Sequence, residues 1–297
     1  MTIQQVALVT GSSSGMGRLI AETLARSGYK TYASMRNVES RNAAVAKELQ
    51  ALAGSENLPL HVLDLDITDG NSVEQAIQTI VKQSGQLDIL VNNAAVMSVG
   101  ITEAFTLEQV RAQFETNFFS VVQMMHAVLP IMRQQQSGLV INVSAIGGRL
   151  VFPFFGIYGA SKTALEWLSE SYHYEVAPFG IDVALLEPGA YPTGLIARIP
   201  RPQDTKRLAE YGDFAQLPEQ IISDFEQSFD GTDVPDTHEI ADAILQLAQT
   251  APGQRPIRTV VGANDYGVRD LNSHTAKHQQ TLIQQLQLPG FASLVQS

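Results

Sequence analysis

Val6-Ala7-Leu8-Val9-Thr10-Gly11-Ser12-Ser13-Ser14-Gly15-Met16-Gly17 is the stretch whose reading decides the fold. Four apolar residues form a strand pattern, a Gly/Ser turn follows, and the turn runs straight into a helical pattern over 15–27. Glycines belong where a backbone turns tightly and passes close to a pyrophosphate, whose charge then sits at the N-terminus of the next helix. Strand, glycine turn and helix in this order predict a dinucleotide-binding crevice, with Gly11, Ser13, Ser14, Gly15 and Met16 as its contacts. The plain alternative is an ordinary Gly/Ser turn, and the rest of the chain decides between them.

Working outward, apolar runs at 31–34, 60–65, 89–91, 140–143, 183–186 and 259–261 read as further strands. Helical patterns at 39–52, 72–83, 107–134, 157–176 and 237–247 separate them, and Val73, Ala76, Ile77 and Ile80 mark the apolar face of one. Apolar strands without strict alternation are those buried on both faces, as in a parallel sheet. The expected architecture is α/β: a doubly wound parallel sheet of about seven strands, of Rossmann type. No linker or repeat divides it. Residues 1–263 are expected as one catalytic domain, with a substrate lid inserted at about 191–235, where several prolines and mixed polarity break the alternation. Residues 264–297 form a C-terminal extension, Gln-rich with Leu271, Leu282, Ile283 and Leu286, which suits one amphipathic helix over the site or at a subunit contact.

Composition removes several function classes. With 44% hydrophobic and 16% charged residues, the 297-residue chain can bury a core and is no disordered segment. A formal net charge of −11, with no basic run beyond the loose cluster Arg198, Arg201, Lys206 and Arg207, argues against a nucleic-acid partner. The absence of cysteine excludes disulfides, thiolate nucleophiles and Cys-ligated metals. Met1-Thr2-Ile3-Gln4-Gln5 has no signal-peptide pattern, and the most apolar window, 138–160, contains Asn142, Ser144 and Arg149, so no membrane span is expected. A cytoplasmic location is the expectation. His274 and His278 stand four apart but lack an H-E-x-x-H context, which favours surface histidines and no metal.

Chemistry concentrates in three further places. The second strand ends in Ala33-Ser34-Met35-Arg36-Asn37, with no carboxylate to hold a ribose 2′-hydroxyl and with a guanidinium that can pair a 2′-phosphate. NADP(H) is therefore the expected cofactor. In Tyr158-Gly159-Ala160-Ser161-Lys162 the phenol and ammonium lie four residues apart, on one helix face. A free phenol titrates at about 10, too high for a base at neutral pH, and a nearby cation is expected to lower it. Ser144 follows the fifth strand, where open α/β sheets place substrates, and can hold a substrate oxygen beside the tyrosine. Phe152, Phe154, Phe155 and Ile157, just before Tyr158, are either core or one wall of an apolar pocket.

With these motifs in order, the chain resembles the compact, non-extended branch of the short-chain dehydrogenase/reductase family from about residue 6 to 193. The glycine spacing is similar to the family's T-G-x-x-x-G-x-G. By that resemblance Asp66 and Ile67 hold the adenine ring, and Asn92-Asn93-Ala94-Ala95 steadies the sheet, with Asn93 and Ala94 lining the cofactor. Asn117 matches the helix asparagine that positions a relay water, linking Lys162 to solvent. Ser144, Tyr158 and Lys162 match the remaining catalytic positions, with Lys162 also on the nicotinamide ribose. Pro188, Gly189 and Thr193 match the P-G-x-x-x-T that approaches the carboxamide.

Two departures are Ala95, for a usual glycine, and Ser120, where a glycine often follows the asparagine. Residues 6–36 are also similar to hydroxysteroid and retinol dehydrogenases. The resemblance implies NADP(H)-dependent interconversion of a small, apolar carbonyl compound and its alcohol, with Tyr158 as general acid/base. A homo-oligomer, dimer or tetramer, is the expected assembly. The glycine spacing disfavours an epimerase or dehydratase of the extended branch. A non-catalytic NADP-sensing regulator on the same fold is the alternative from another class, and the Tyr158–Lys162 pair argues against it.

Overall fold

The computed structural model describes residues 4–192, 199–230, 234–288 and 291. Seven strands form one sheet: β1 (Val6–Val9), β2 (Lys30–Met35), β3 (Leu60–Asp64), β4 (Ile89–Asn92), β5 (Gly138–Val143), β6 (Ile181–Pro188) and β7 (Arg258–Val261). Their spatial order is β3-β2-β1-β4-β5-β6-β7, and every pair is parallel. The expected doubly wound sheet is thus present, with the order reversing between β1 and β4.

Burial on both faces explains the continuous apolar runs. On one face Ala7, Val9, Val91 and Ile141 meet Ile20 and Leu24 of α1 (Gly15–Arg26), Leu49 of α2 (Ala43–Ser55) and Ile240 and Ile244 of α9 (His238–Gln249). On the other, Val6, Leu8, Leu90 and Val140 meet Ile77 and Ile80 of α3 (Gly70–Ser84) and Met124, Met125 and Val128 of α5 (Ser120–Gln135). Leu165 of α6 (Gly156–Val176) completes that layer. Local signals fix where helices begin: the Asp69 side chain accepts from Asn71 N ahead of α3, and Thr106 and Gln109 form a capping box on α4 (Leu107–Phe114).

The single helix expected over 107–134 is instead two, α4 and α5, joined by a π-helical turn at Glu115–Phe119. Such a turn carries an extra residue and is often found at functional sites. Here it carries Asn117, whose amide is drawn onto Val96 and Ser161. Within 191–235 the described parts hold two α-helices, α7 (Thr205–Glu210) and α8 (Leu217–Gln227), with a 3-10 turn at Gly212–Gln216 between them. The C-terminal extension contains the expected helix, α10 (Val268–Gln285), which buries Val268 and Ile283. His274 lies exposed on it, its Nδ1 2.9 Å from the Asp270 carbonyl.

Candidate active site

Where the strand order reverses, at the C-terminal strand ends where open α/β sheets bind their ligands, the loops after β1 and β4 lie side by side. Thr10 binds them together: its Oγ1 accepts from Asn93 N at 3.0 Å and Ala94 N at 3.1 Å, while Asn93 Nδ2 donates to Thr10 O at 2.8 Å. Only glycine allows so close an approach. A Cβ on Gly11, whose φ is +71°, would lie 2.8 Å from Ala94 Cα, and one on Gly17 would lie 2.4 Å from Gly11 O and from Asn93 Nδ2. Helix α1 begins after Ser14 with no side-chain cap and no acidic residue in its first turn, so its amide groups remain available to an anion. This cradle fits a dinucleotide pyrophosphate.

At the end of β2, Arg36 is largely exposed and its Nη1 stands 4.0 Å from Asp66 Oδ2. Burial works to raise the Asp66 carboxyl, but hydrogen bonds from Thr68 Oγ1 and N, with the Arg36 charge, outweigh it and hold the group below its ordinary value. Ile67 packs at the edge of the second core layer. Met35 is 3% exposed and packs into the first core layer, so the end of β2 carries no acidic side chain there.

Beyond β5 and β6 lies a cavity of about 710 Å³ with mostly apolar walls. Ala145, Ile146 and Gly147 come from the loop after β5, Tyr158 and Gly159 from α6, and Pro188 and Gly189 from the end of β6. Phe152 and Phe155 form part of the wall, while Phe154 and Ile157 do not: Phe154 packs with Phe155 on a small cluster around Val99 and Ile222 that adjoins the cavity, and Ile157 is buried. The run thus supplies both cavity wall and apolar packing, and Phe155 takes part in both. Helix α8 reaches the cavity through Phe225, and Tyr266 approaches from beyond β7. Thr193 lies outside the described residues.

Ser144 is 3% exposed, and its Oγ has no hydrogen-bond partner among the described residues. An orphaned hydroxyl beside an apolar cavity suits a polar ligand atom. Lys162 is buried, donates from Nζ to Val143 O at 2.8 Å, and stands 5.9 Å from the centre of the Tyr158 ring. Burial pulls the Lys162 ammonium down to about 8 against the opposing pull of Glu166, and burial pushes the Tyr158 phenol up. The expected lowering of the phenol by the lysine is therefore overridden by desolvation. Tyr158 is held in its protonated form, the form that donates.

Asn117 is 1% exposed, and both its amide protons are spent, on Val96 O at 2.9 Å and Ser161 Oγ at 3.0 Å. Ser161 in turn donates to Tyr158 O at 2.7 Å, so the asparagine braces the first turns of α6. No hydrogen bond joins the Asn117 side chain to Lys162 among the described residues. The sequence reading missed a buried charged cluster behind Lys162, in which Arg258 of β7 meets Glu166 and Glu170 of α6 and Glu187 of β6. Two signals for it exist: Tyr158, Lys162, Glu166 and Glu170 recur every four residues, and Glu187 is a charge inside an apolar strand.

Comparison with known proteins agrees with this architecture. The family model for short chain dehydrogenases matches residues 5–204. The chain is 40% identical over 191 residues to a 3-ketodihydrosphingosine reductase of Bacteroides thetaiotaomicron, a match covering 64% of this chain and 65% of that protein. It is 36% identical over 252 residues to the uncharacterized oxidoreductase YusZ of Bacillus subtilis, covering 82% and 85%. The crystal structure of a short-chain dehydrogenase from Streptomyces avermitilis superposes with a TM-score of 0.75 at 30% identity, covering 96% of this chain and 98% of that one. No described helix is long and apolar enough to cross a membrane. The seven-stranded parallel sheet, the glycine cradle at its switch point and these matches together place the chain in the short-chain dehydrogenase/reductase family of oxidoreductases.

Proposed function

We propose that the chain interconverts an apolar carbonyl compound and its alcohol with NADP(H). The observation that carries the reading is the buried Ser144 Oγ, without a partner among the described residues, next to Ala145 in the wall of an apolar cavity that Tyr158 also lines. When bound, the nicotinamide supplies or accepts the hydride. Tyr158, protonated at neutral pH, gives its proton to the carbonyl oxygen while Ser144 holds that oxygen. Lys162 contributes a positive charge to the acid/base and, by family resemblance, a contact to the nicotinamide ribose. Asn117 acts by fixing the start of α6 rather than through a direct bond to Lys162. Gly11, Ser13, Ser14, Gly15 and Met16 would cradle the pyrophosphate, Asp66 and Ile67 the adenine, and Asn93, Ala94, Pro188 and Gly189 the nicotinamide half.

Cofactor preference rests on charge. Proteins of this fold have been crystallised with either nucleotide, an archaeal alcohol dehydrogenase with a hydroxylated NADP and a Burkholderia phymatum enzyme with NAD, so the fold does not choose. Arg36, without a carboxylate beside it on β2, favours the 2′-phosphate. The name of the Bacteroides relative, a ketone reductase, agrees with the reaction class, and the apolar cavity walls favour an apolar substrate. Residues 191–235 serve as the lid of this cavity in our reading, supported by the approach of Phe225.

The test is a screen of NADPH oxidation with ketones and aldehydes of increasing apolar size, followed by Ser144→Ala on the best substrate. Loss of a hydrogen bond made to the reacting oxygen should lower kcat on the order of 10²-fold with little change in nucleotide affinity. Wild-type kcat in that variant would make the serine a structural residue.

A further inference from the structure

Behind the site sits a charge arrangement that two ionised carboxylates and one arginine do not explain. Glu166 and Glu187 are 1% and 0% exposed, and each leaves its Oε1 without a hydrogen-bond partner among the described residues. Arg258 Nε stands 3.2 Å from Glu166 Oε2 and 3.2 Å from Glu187 Oε1, but its proton is aligned on Glu166 alone. Its Nη2 is spent on Glu170 at 2.9 Å. Glu187 Oε2 accepts from Asn272 of α10 at 2.6 Å. Three carboxylates thus share one guanidinium, and two of them are fully buried. The Glu166 and Glu187 side chains lie within hydrogen-bond reach of each other, and with both ionised the pair would bury two negative charges side by side, which a low-dielectric interior strongly penalises. One proton on Glu187, donated to Glu166, removes that repulsion and gives the pair a hydrogen bond.

We propose that Glu166 and Glu187 share a single proton and that this acid pair, clamped by Arg258 and Asn272, sets the charge felt by Lys162 one helical turn away. The idea rests on the reading of Lys162 as part of the acid/base site, and it makes Glu166 and Glu187 positioning residues that act through that lysine. Burial, with the Glu166 charge next, pushes the Glu187 carboxyl up to about 8, and Glu166 in turn opposes the loss of the Lys162 proton. The charged and titratable neighbours are Lys162, Glu170 and Tyr174 on α6 and Arg258 on β7; Arg149 reaches the pair only through Asn272. At neutral pH the pair carries one negative charge. As pH rises through 8 it gains a second, which holds the Lys162 ammonium on. The C-terminal extension takes part, because Asn272 bonds Glu187 and accepts from Arg149 Nε at 2.8 Å.

The first measurement needs neither substrate nor nucleotide. Infrared spectra of the protein at neutral pH should contain the carbonyl stretch of a protonated carboxyl, fading as pH passes about 8. Glu187→Gln and Glu166→Gln should each abolish the band, because the surviving carboxylate then faces a neutral amide and Arg258 and gives up its proton. No band in the wild-type protein, or a band untouched by both substitutions, overturns the shared proton whatever the enzyme turns over. The second measurement is the pH profile of carbonyl reduction. Without the second negative charge, Lys162 loses its proton earlier, so the alkaline limb should move to lower pH by about half a unit or more in each folded variant. A limb that stays in place while the melting temperature falls would make the cluster structural only and overturn its action on Lys162. Should Glu166→Gln fail to fold, the wild-type titration and Glu187→Gln decide both points.

Discussion

Tyr158→Phe should reduce turnover of a verified carbonyl substrate by about 10²- to 10⁴-fold while leaving NADPH affinity nearly unchanged. The substitution removes only the phenolic hydroxyl from the cavity wall, and the ring and the start of α6 remain. Its direction in pH follows from burial. The phenol is pushed above its ordinary value, so the protonated donor is fully present at neutral pH and is lost only as the solution becomes strongly alkaline. Reduction should accordingly be sustained across neutral pH, whereas alcohol oxidation, which needs the deprotonated form, should rise as pH increases. Single-turnover kinetics with bound NADPH, monitored by loss of nicotinamide absorbance, checks this. Wild-type rates in the phenylalanine variant would assign the proton to another group.

The second large effect concerns cofactor choice. A charge-assisted bidentate contact from Arg36 to the 2′-phosphate contributes on the order of 1.5–3 kcal/mol, or roughly tenfold to a hundredfold in affinity. The loose 4.0 Å pairing with Asp66, between partly exposed groups, is too weak to hold Arg36 away from a dianion. The protein should prefer NADPH over NADH by at least tenfold in kcat/KM, and Arg36→Ala should remove most of that preference. Adding Met35→Asp should reverse it in charge terms. The buried position of Met35 means that the carboxylate must turn out of the core, at a cost in stability that a melting curve will register. Equal use of both nucleotides by the wild type would show Arg36 to be a solvated surface residue.

The fold was legible because it depends on local patterns. Continuous apolar runs flanked by helical periods marked all seven strands, and observed ends such as Lys30–Met35 and Ile181–Pro188 differ from the expected ones by one or two residues, since terminal ladder bonds leave no trace in hydropathy. The π turn around Asn117 was not legible. It coincides with tertiary bonds from the asparagine to Val96 and Ser161, which hydropathy does not register, while the apolar period on either side continues as in one helix. Tyr158 and Lys162 share one face of α6, with the Lys162 ammonium 5.9 Å from the phenol ring and bonded to the carbonyl of Val143, the residue before Ser144.

What the motifs could not give is the electrostatics. The sequence placed a cation near the phenol, but desolvation, which depends on everything packed around a group, outweighs that cation. Met35 was read by its position at the strand end, and packing of its side chain into the core could be seen only with α1 and α2 in place. The Glu166–Arg258–Glu187 cluster draws on three elements far apart in the chain, joined only because β7 lies next to β6 at the edge of the sheet.

The central claim, that this cavity supports hydride transfer to a carbonyl carbon, has one direct measurement. The protein is incubated with NADPH deuterated at the transferable position and with a panel of apolar ketones and aldehydes, and the alcohols formed are analysed by mass spectrometry. The account predicts an alcohol carrying one deuterium on the former carbonyl carbon, formed by the wild type and lost with Tyr158→Phe. Tight nucleotide binding with no deuterated alcohol from any member of the panel would contradict it and leave a nucleotide-sensing protein on this fold.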